Sequence, residues 1–338
     1  MTGQDQAKIA VTCDVPVIDA HHHLFDEKFV EYMQASRFLI HEYLAGLGGD
    51  HGVIATVAVN SAAMYRRSGP EAMAPVGETE FLNGQAAMAA SGLYGDCAVA
   101  AGIISFADLR LGAAVRDVLE AHIAAAPARF RGVRQTAMWD SDASIVGERY
   151  GMGQHGYARK DFRAGFAELA PLGLTFDAFV MAPQLEDVRD LARAFPETTI
   201  VLNHLGQPVN VGVHAGRLAE EYPQWKRDML EIAACPNVSV KMGGLGTFLG
   251  GSPSYRARPA VGPRALAEEW RPYAEATVEM FGADRCMFES NLPTDGAGSF
   301  LDIRDAYLLI TAGCSREERR MIFAGTARRV YRLEIPAH

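Results

Sequence analysis

The feature that most constrains this chain is an alternation, kept up from end to end, of eight short apolar runs with helix-like segments. The runs lie at 15–20, 52–59 (GVIATVAV), 97–105 (CAVAAGIIS), 130–135 (FRGVRQ), 174–180 (LTFDAFV), 198–203 (TTIVLN), 238–242 (VSVKM) and 285–289 (RCMFE). Several are nearly continuous in apolar residues, as expected of parallel strands covered on both faces. Between them, 113–124 places Val115, Val118, Leu119 and Ile123 at helical spacing, with acids at Asp117 and Glu120. Segments 185–195 and 266–281 follow the same rule, and Pro272 predicts a kink or a restart in the second of them. Eight such units in 338 residues predict an α/β chain folded as a (β/α)₈ TIM barrel, a single domain with the barrel at about 15–333. A doubly wound sheet is the alternative, but no Gly-x-Gly-x-x-Gly follows the first run.

Charge and cysteine content narrow the partners. A net charge of −9 argues against nucleic acid or an anionic membrane as the main partner and leaves a small-molecule substrate. The five cysteines are odd in number, widely spaced and without a Cys-x-x-Cys, which fits reduced thiols in a cytoplasmic protein. Residues 1–10 are polar and lack an apolar signal core. No uncharged apolar run approaches the ~18 residues needed to span a bilayer. A homo-oligomer stays open, since large barrels often pair.

In a barrel, polar residues at the C-terminal ends of strands are the expected site. The first run ends in Asp19-Ala20-His21-His22-His23, and alternation along a strand points Asp19, His21 and His23 to one face. A His-x-His pair can bind a metal or a substrate oxygen. Further along, the same rim collects Asn60 with Tyr65 and Arg66, then Arg134 and Gln135, Asp177, His204, Lys241, and finally Glu289 and Asn291. Asp177 reads as structural, hydrogen-bonded to backbone or paired with Arg134. His122, on an amphipathic helix, reads as surface. Two inserts, 61–84 and the Gly/Ser/Pro-rich 243–263, read as loops over the same face. Together the residues support a hydrolysis. His21, His23 and His204 supply nitrogen ligands or hydrogen bonds, Arg134 and Lys241 hold a carboxylate or an oxyanion, and a carboxylate deprotonates water.

Five motifs occur in order: Ile-Asp-Ala-His-x-His, Arg-Gly-Val-Arg, Val-Leu-Asn-His-Leu-Gly-x-Pro, Met-Phe-Glu-Ser-Asn-Leu-Pro and Ile-Phe-Ala-Gly-Thr-Ala-Arg-Arg-Val-Tyr-Arg-Leu. The set resembles the amidohydrolase superfamily, in the amidohydrolase-related branch that includes sugar lactonases and pyrone-dicarboxylate lactonase. The resemblance runs from about Val15 to Leu333. It implies a distorted (β/α)₈ barrel that hydrolyses lactones or amides of small acids. It also implies one divalent metal, zinc above all, on His21, His23 and His204, although a few lactonases of this branch work without one. Most members carry an aspartate as metal ligand and base where this chain has Asn291. A subgroup sharing the Glu-Ser-Asn motif has histidines at the positions of Gln135 and Ala182.

An amide cannot take a proton from water, so Glu289, two residues before Asn291 and on the same strand face, is the candidate replacement. The expected catalytic set is therefore His21, His23, His204, Glu289 and Asn291, with Arg134, Lys241, Tyr65 and Arg66 binding substrate. The alternatives are a decarboxylase or hydratase on the same barrel, and a barrel that has lost catalysis and serves as a binding or partner subunit.

Overall fold

The eight apolar runs become eight parallel strands because each is wide enough in apolar residues to be covered twice, once by helices and once by the barrel interior. The computed structural model describes residues 12–26, 35–147 and 150–335, so the polar stretch 1–10 lies outside them. The strands are β1 (Val17–His22), β2 (Val53–Val59), β3 (Ala98–Ser105), β4 (Phe130–Thr136), β5 (Thr175–Phe179), β6 (Ile200–Leu202), β7 (Val238–Met242) and β8 (Cys286–Phe288). They pair in sequence order in one sheet. Closure comes from the chain just past β8: Asn291 N–H donates to the His21 carbonyl and His23 N–H to the Leu292 carbonyl, each at 2.8 Å. His22 and Leu292 form a parallel bridge there. The result is a (β/α)₈ barrel.

Alternation along the strands separates two cores. Ile18, Ala20, Val57, Val59, Ile104 and Val201 face inward and pack with Val330, Tyr331 and Leu333 of the C-terminal segment. Ala58, Ile103, Leu202 and Val240 face outward, against the helices. A period-2 pattern thus fills the barrel axis and seats the helical shell at once, except at the end of β1, where the register shifts between Asp19 and His22. There Ala20 and His21 both face inward, while Asp19 turns outward with His22 to meet Tyr43, so Asp19 does not share the face of His21 and His23 as alternation predicts.

Helix Pro263–Phe281 runs through Pro272, so of the kink or restart expected there the restart does not occur. Pro272 and Glu268, four residues before it, both lie on the exposed face, so the carbonyl that loses its N–H partner faces water. The insert at 61–84 is no simple loop, because helix Val76–Ala90 begins inside it. His122 is buried rather than on the surface: its ring stacks on Phe130 at 5.0 Å, with Nδ1 2.7 Å from Thr79 Oγ1 and Nε2 3.1 Å from the Phe106 carbonyl oxygen. Burial pushes its pKa down to about 4. Its spacing from Val115, Val118 and Leu119 is that of the apolar face, which is the signal for this position.

Candidate active site

The strand ends deliver their polar side chains to one end of the barrel, around a cavity of about 830 Å³. His23, Arg134, His204, Asn291 and Tyr65 line it. His21, Lys241 and Glu289 lie deeper, fully buried among the strand ends. Arg66 is elsewhere: its guanidinium pairs with Glu80 on the surface. The long segment after β7 contributes Thr247, Phe248, Leu249, Tyr255 and Arg256 to the cavity wall.

Two carboxylates organise the floor. Glu289 Oε1 accepts from His204 Nδ1 at 2.7 Å. Its other oxygen, Oε2, is 3.0 Å from His21 Nδ1, at ion-pair distance but without hydrogen-bond alignment. Two glycines make this approach possible. A Cβ at Gly243 would collide with the Glu289 side chain, and one at Gly244 with the His204 ring. Gly244 also has φ +69°, a conformation that favours glycine.

Asp177 is held differently. It accepts from Lys241 Nζ at 2.6 Å, from Tyr331 Oη at 3.0 Å and from Asn203 Nδ2 at 3.1 Å. Asp177 is thus structural, with Lys241 and not Arg134 as its cationic partner. Arg134 donates instead to Asn60, from Nε to Oδ1 at 2.8 Å and from a terminal nitrogen to the carbonyl at 2.6 Å. The other terminal nitrogen is 3.2 Å from His21 Nε2. Asp19 acts as a clamp rather than as a partner for a histidine ring. It accepts from the Ser290 hydroxyl at 2.6 Å, the Ser290 N–H at 2.8 Å, the Tyr43 hydroxyl at 2.8 Å and the His21 N–H at 3.3 Å. Burial pushes its pKa up to about 6.

The three adjacent histidines divide their roles. His22 points away from the cavity, stacks on Tyr43 at 4.2 Å and meets the Thr56 hydroxyl at 2.7 Å. His21 and His23 share the inner face, with their Nε2 atoms 3.3 Å apart. Burial first, then the Lys241 charge for His21 and the Arg134 charge for His23, holds both well below the usual imidazole range. His23 Nδ1 donates to the Val59 carbonyl at 3.0 Å, so its Nε2 carries a lone pair. Arg134 donates to His21 Nε2 at 3.2 Å, so the single lone pair of that nitrogen is directed at the guanidinium.

One donor atom each from His21, His204 and Glu289 lies within 4.8 Å of the others, and these residues would hold a divalent metal. This trio contains Glu289 where the sequence reading places His23.

A family model described as Amidohydrolase matches residues 18–333. The chain belongs to the amidohydrolase family. It is an enzyme, and the family assignment makes it a hydrolase of a family that typically binds a divalent metal. The non-catalytic alternative is set aside on this ground. The uncharacterized protein y4mH of Sinorhizobium fredii is 31% identical, over 95% of this chain and 99% of its own length. An L-fucono-1,5-lactonase of Burkholderia ambifaria is 30% identical over 48% of this chain and 52% of its own length. Among solved structures, an amidohydrolase from Burkholderia multivorans with bound zinc superposes with a TM-score of 0.72. It is 23% identical and is covered in full by 95% of this chain.

Among the described residues, no helix is long and apolar enough to cross a membrane.

Proposed function

We propose that this hydrolase opens a small lactone, or cleaves an equivalent ester, by attack of a water that His204 deprotonates with Glu289 behind it. The observation that carries the reading is the 2.7 Å contact between His204 Nδ1 and Glu289 Oε1 at the cavity floor. A carboxylate on Nδ1 fixes the imidazole tautomer, leaves Nε2 as the proton acceptor and stabilises the ring once it is charged. The partial likeness to an L-fucono-1,5-lactonase supports the bond type.

In the first step the water oxygen bonds to the carbonyl carbon, its proton passes to His204 Nε2, and the carbonyl π pair moves onto oxygen. In the second step the ring C–O bond breaks and His204 returns the proton to the leaving alkoxide. The product is a hydroxy acid, with one water consumed. Arg134 is fixed at the cavity by Asn60 and supplies positive charge to a substrate carboxylate or to the oxyanion. A divalent metal held by the His21, His204 and Glu289 donor set would supply Lewis-acid charge near the reacting carbonyl.

The test is acid release from a panel of lactones that includes L-fucono-1,5-lactone and 3,4-dihydrocoumarin. Turnover that falls at least about 10²-fold in both His204→Ala and Glu289→Gln is expected. No turnover of any lactone or ester, or unchanged turnover in both variants, contradicts the reading.

A further inference from the structure

Among the described residues, three polar side chains of the cavity hold atoms that find no partner. Both amide atoms of Asn291, Oγ1 of Thr294 and Oε1 of Gln207 are buried and unpaired, and all three residues line the cavity. Buried polar atoms are nearly always satisfied, so a cluster of exceptions calls for a ligand, an ordered water or an unmade catalytic bond. Other polar residues of the wall are already engaged. Asn60 holds Arg134, Gln135 Oε1 accepts from the Leu109 N–H, and the Thr247 hydroxyl donates to the Gly244 carbonyl.

The orphans are tied to the catalytic groups. Asn291 N–H donates to the His21 carbonyl at 2.8 Å, and Gln207 N–H donates to the His204 carbonyl at 2.7 Å. His204, Gln207 and Asn291 all take positive φ, at 56°, 39° and 54°. Non-glycine residues pay a conformational cost there, and such positions gather where a side chain must be aimed.

The unmet capacity has a definite chemistry. Asn291 offers two N–H donors and Thr294 one O–H donor. Gln207 Nε2 donates one of its two N–H groups to the Pro208 carbonyl, and the atom of this side chain left without a partner is the acceptor Oε1. We infer that Asn291 Nδ2 and Thr294 Oγ1 form the oxyanion subsite, donating to the substrate carbonyl oxygen as it takes up negative charge, while Gln207 Oε1 accepts the second proton of the attacking water. The subsite is neutral and selects an ester-type carbonyl rather than a second carboxylate. The inference rests on the hydrolytic reading above and assigns the charge-stabilising role to groups other than the base.

Donors that act only in the transition state change kcat and leave KM alone. Asn291→Gly removes the carboxamide and suits the positive φ; Thr294→Val keeps the shape and removes the hydroxyl. With 3,4-dihydrocoumarin as substrate, kcat falls about 10²-fold in Asn291→Gly and about 10-fold in Thr294→Val. KM stays within about threefold and the melting temperature is unchanged. Unchanged kcat, a rise in KM alone, or loss of kcat that tracks a large fall in melting temperature overturns the inference.

A second measurement does not depend on turnover. Methylphosphonate, a tetrahedral oxyanion, binds the wild-type protein in calorimetry and binds Asn291→Gly at least about tenfold more weakly. Equal affinity, or no binding to the wild type, overturns the inference even where no lactone is opened. Methylphosphonate discrimination without lactone turnover upholds the subsite and rejects the hydrolytic reading alone.

Discussion

Glu289 and Asp177 are both fully buried carboxylates at the mouth of the barrel, and they are held in opposite ways. Asp177 faces a permanent cation, Lys241, and its remaining capacity goes to a tyrosine and an asparagine. Glu289 faces two imidazoles, His204 and His21. The first arrangement is closed: every partner is a fixed donor, and no proton can leave without exposing a buried charge. The second is open, because an imidazole can give a proton from one ring nitrogen and take one on the other, which neither a lysine nor an amide can do. The partner, more than the carboxylate, decides which of the two can take part in chemistry.

The largest effects should come from breaking the closed site. Lys241→Met leaves Asp177 buried and uncompensated and should cost about 3–5 kcal/mol of stability in urea unfolding. The double variant Lys241→Met/Asp177→Leu should recover most of that loss, because it removes both charges. Failure to recover would show that the pair does more than balance charge.

Breaking the open site should remove activity. His204→Ala should lose about 10²–10⁴-fold in kcat, as expected for a missing general base. Glu289→Gln should lose less, about 10²-fold, because His204 keeps its place but loses the charge behind it.

Metal content sharpens the same contrast. Calorimetric titration should show about one zinc per chain on the His21, His204 and Glu289 donor set, abolished in His21→Ala. The smallest effect belongs to Arg66→Ala. Its pair with Glu80 is exposed and outside the cavity, so activity should stay at the wild-type level and stability within about 0.5 kcal/mol.

The strands were legible because short apolar stretches, several of them nearly uninterrupted, recur between helical patterns, and their polar ends announced the rim. Val238–Met242 is the same in sequence and structure, down to its end residues. Less legible was anything that depends on partners far apart in the chain. His204 and Glu289 are 85 residues apart, and the local sign of their meeting is the Gly243-Gly244 pair that clears space for both. Asp177 was readable as structural, but its partner was not: Arg134 sits directly beside it on β4, whereas Lys241 reaches it from β7, two strands away, and only packing shows which of them pairs. Arg66 and Tyr65 are adjacent in sequence, yet only Tyr65 reaches the cavity. Gln207 and Thr294 were not anticipated at all. Their importance lies in what their buried atoms lack, and a missing hydrogen bond has no signature in sequence.

Chemical rescue of His204→Ala tests the central claim, that His204 is the base, most directly. Added imidazole should restore lactone opening to this variant in proportion to the neutral imidazole present, and should leave Glu289→Gln unchanged. Wild-type turnover by His204→Ala without imidazole, or equal rescue of both variants, would contradict the account.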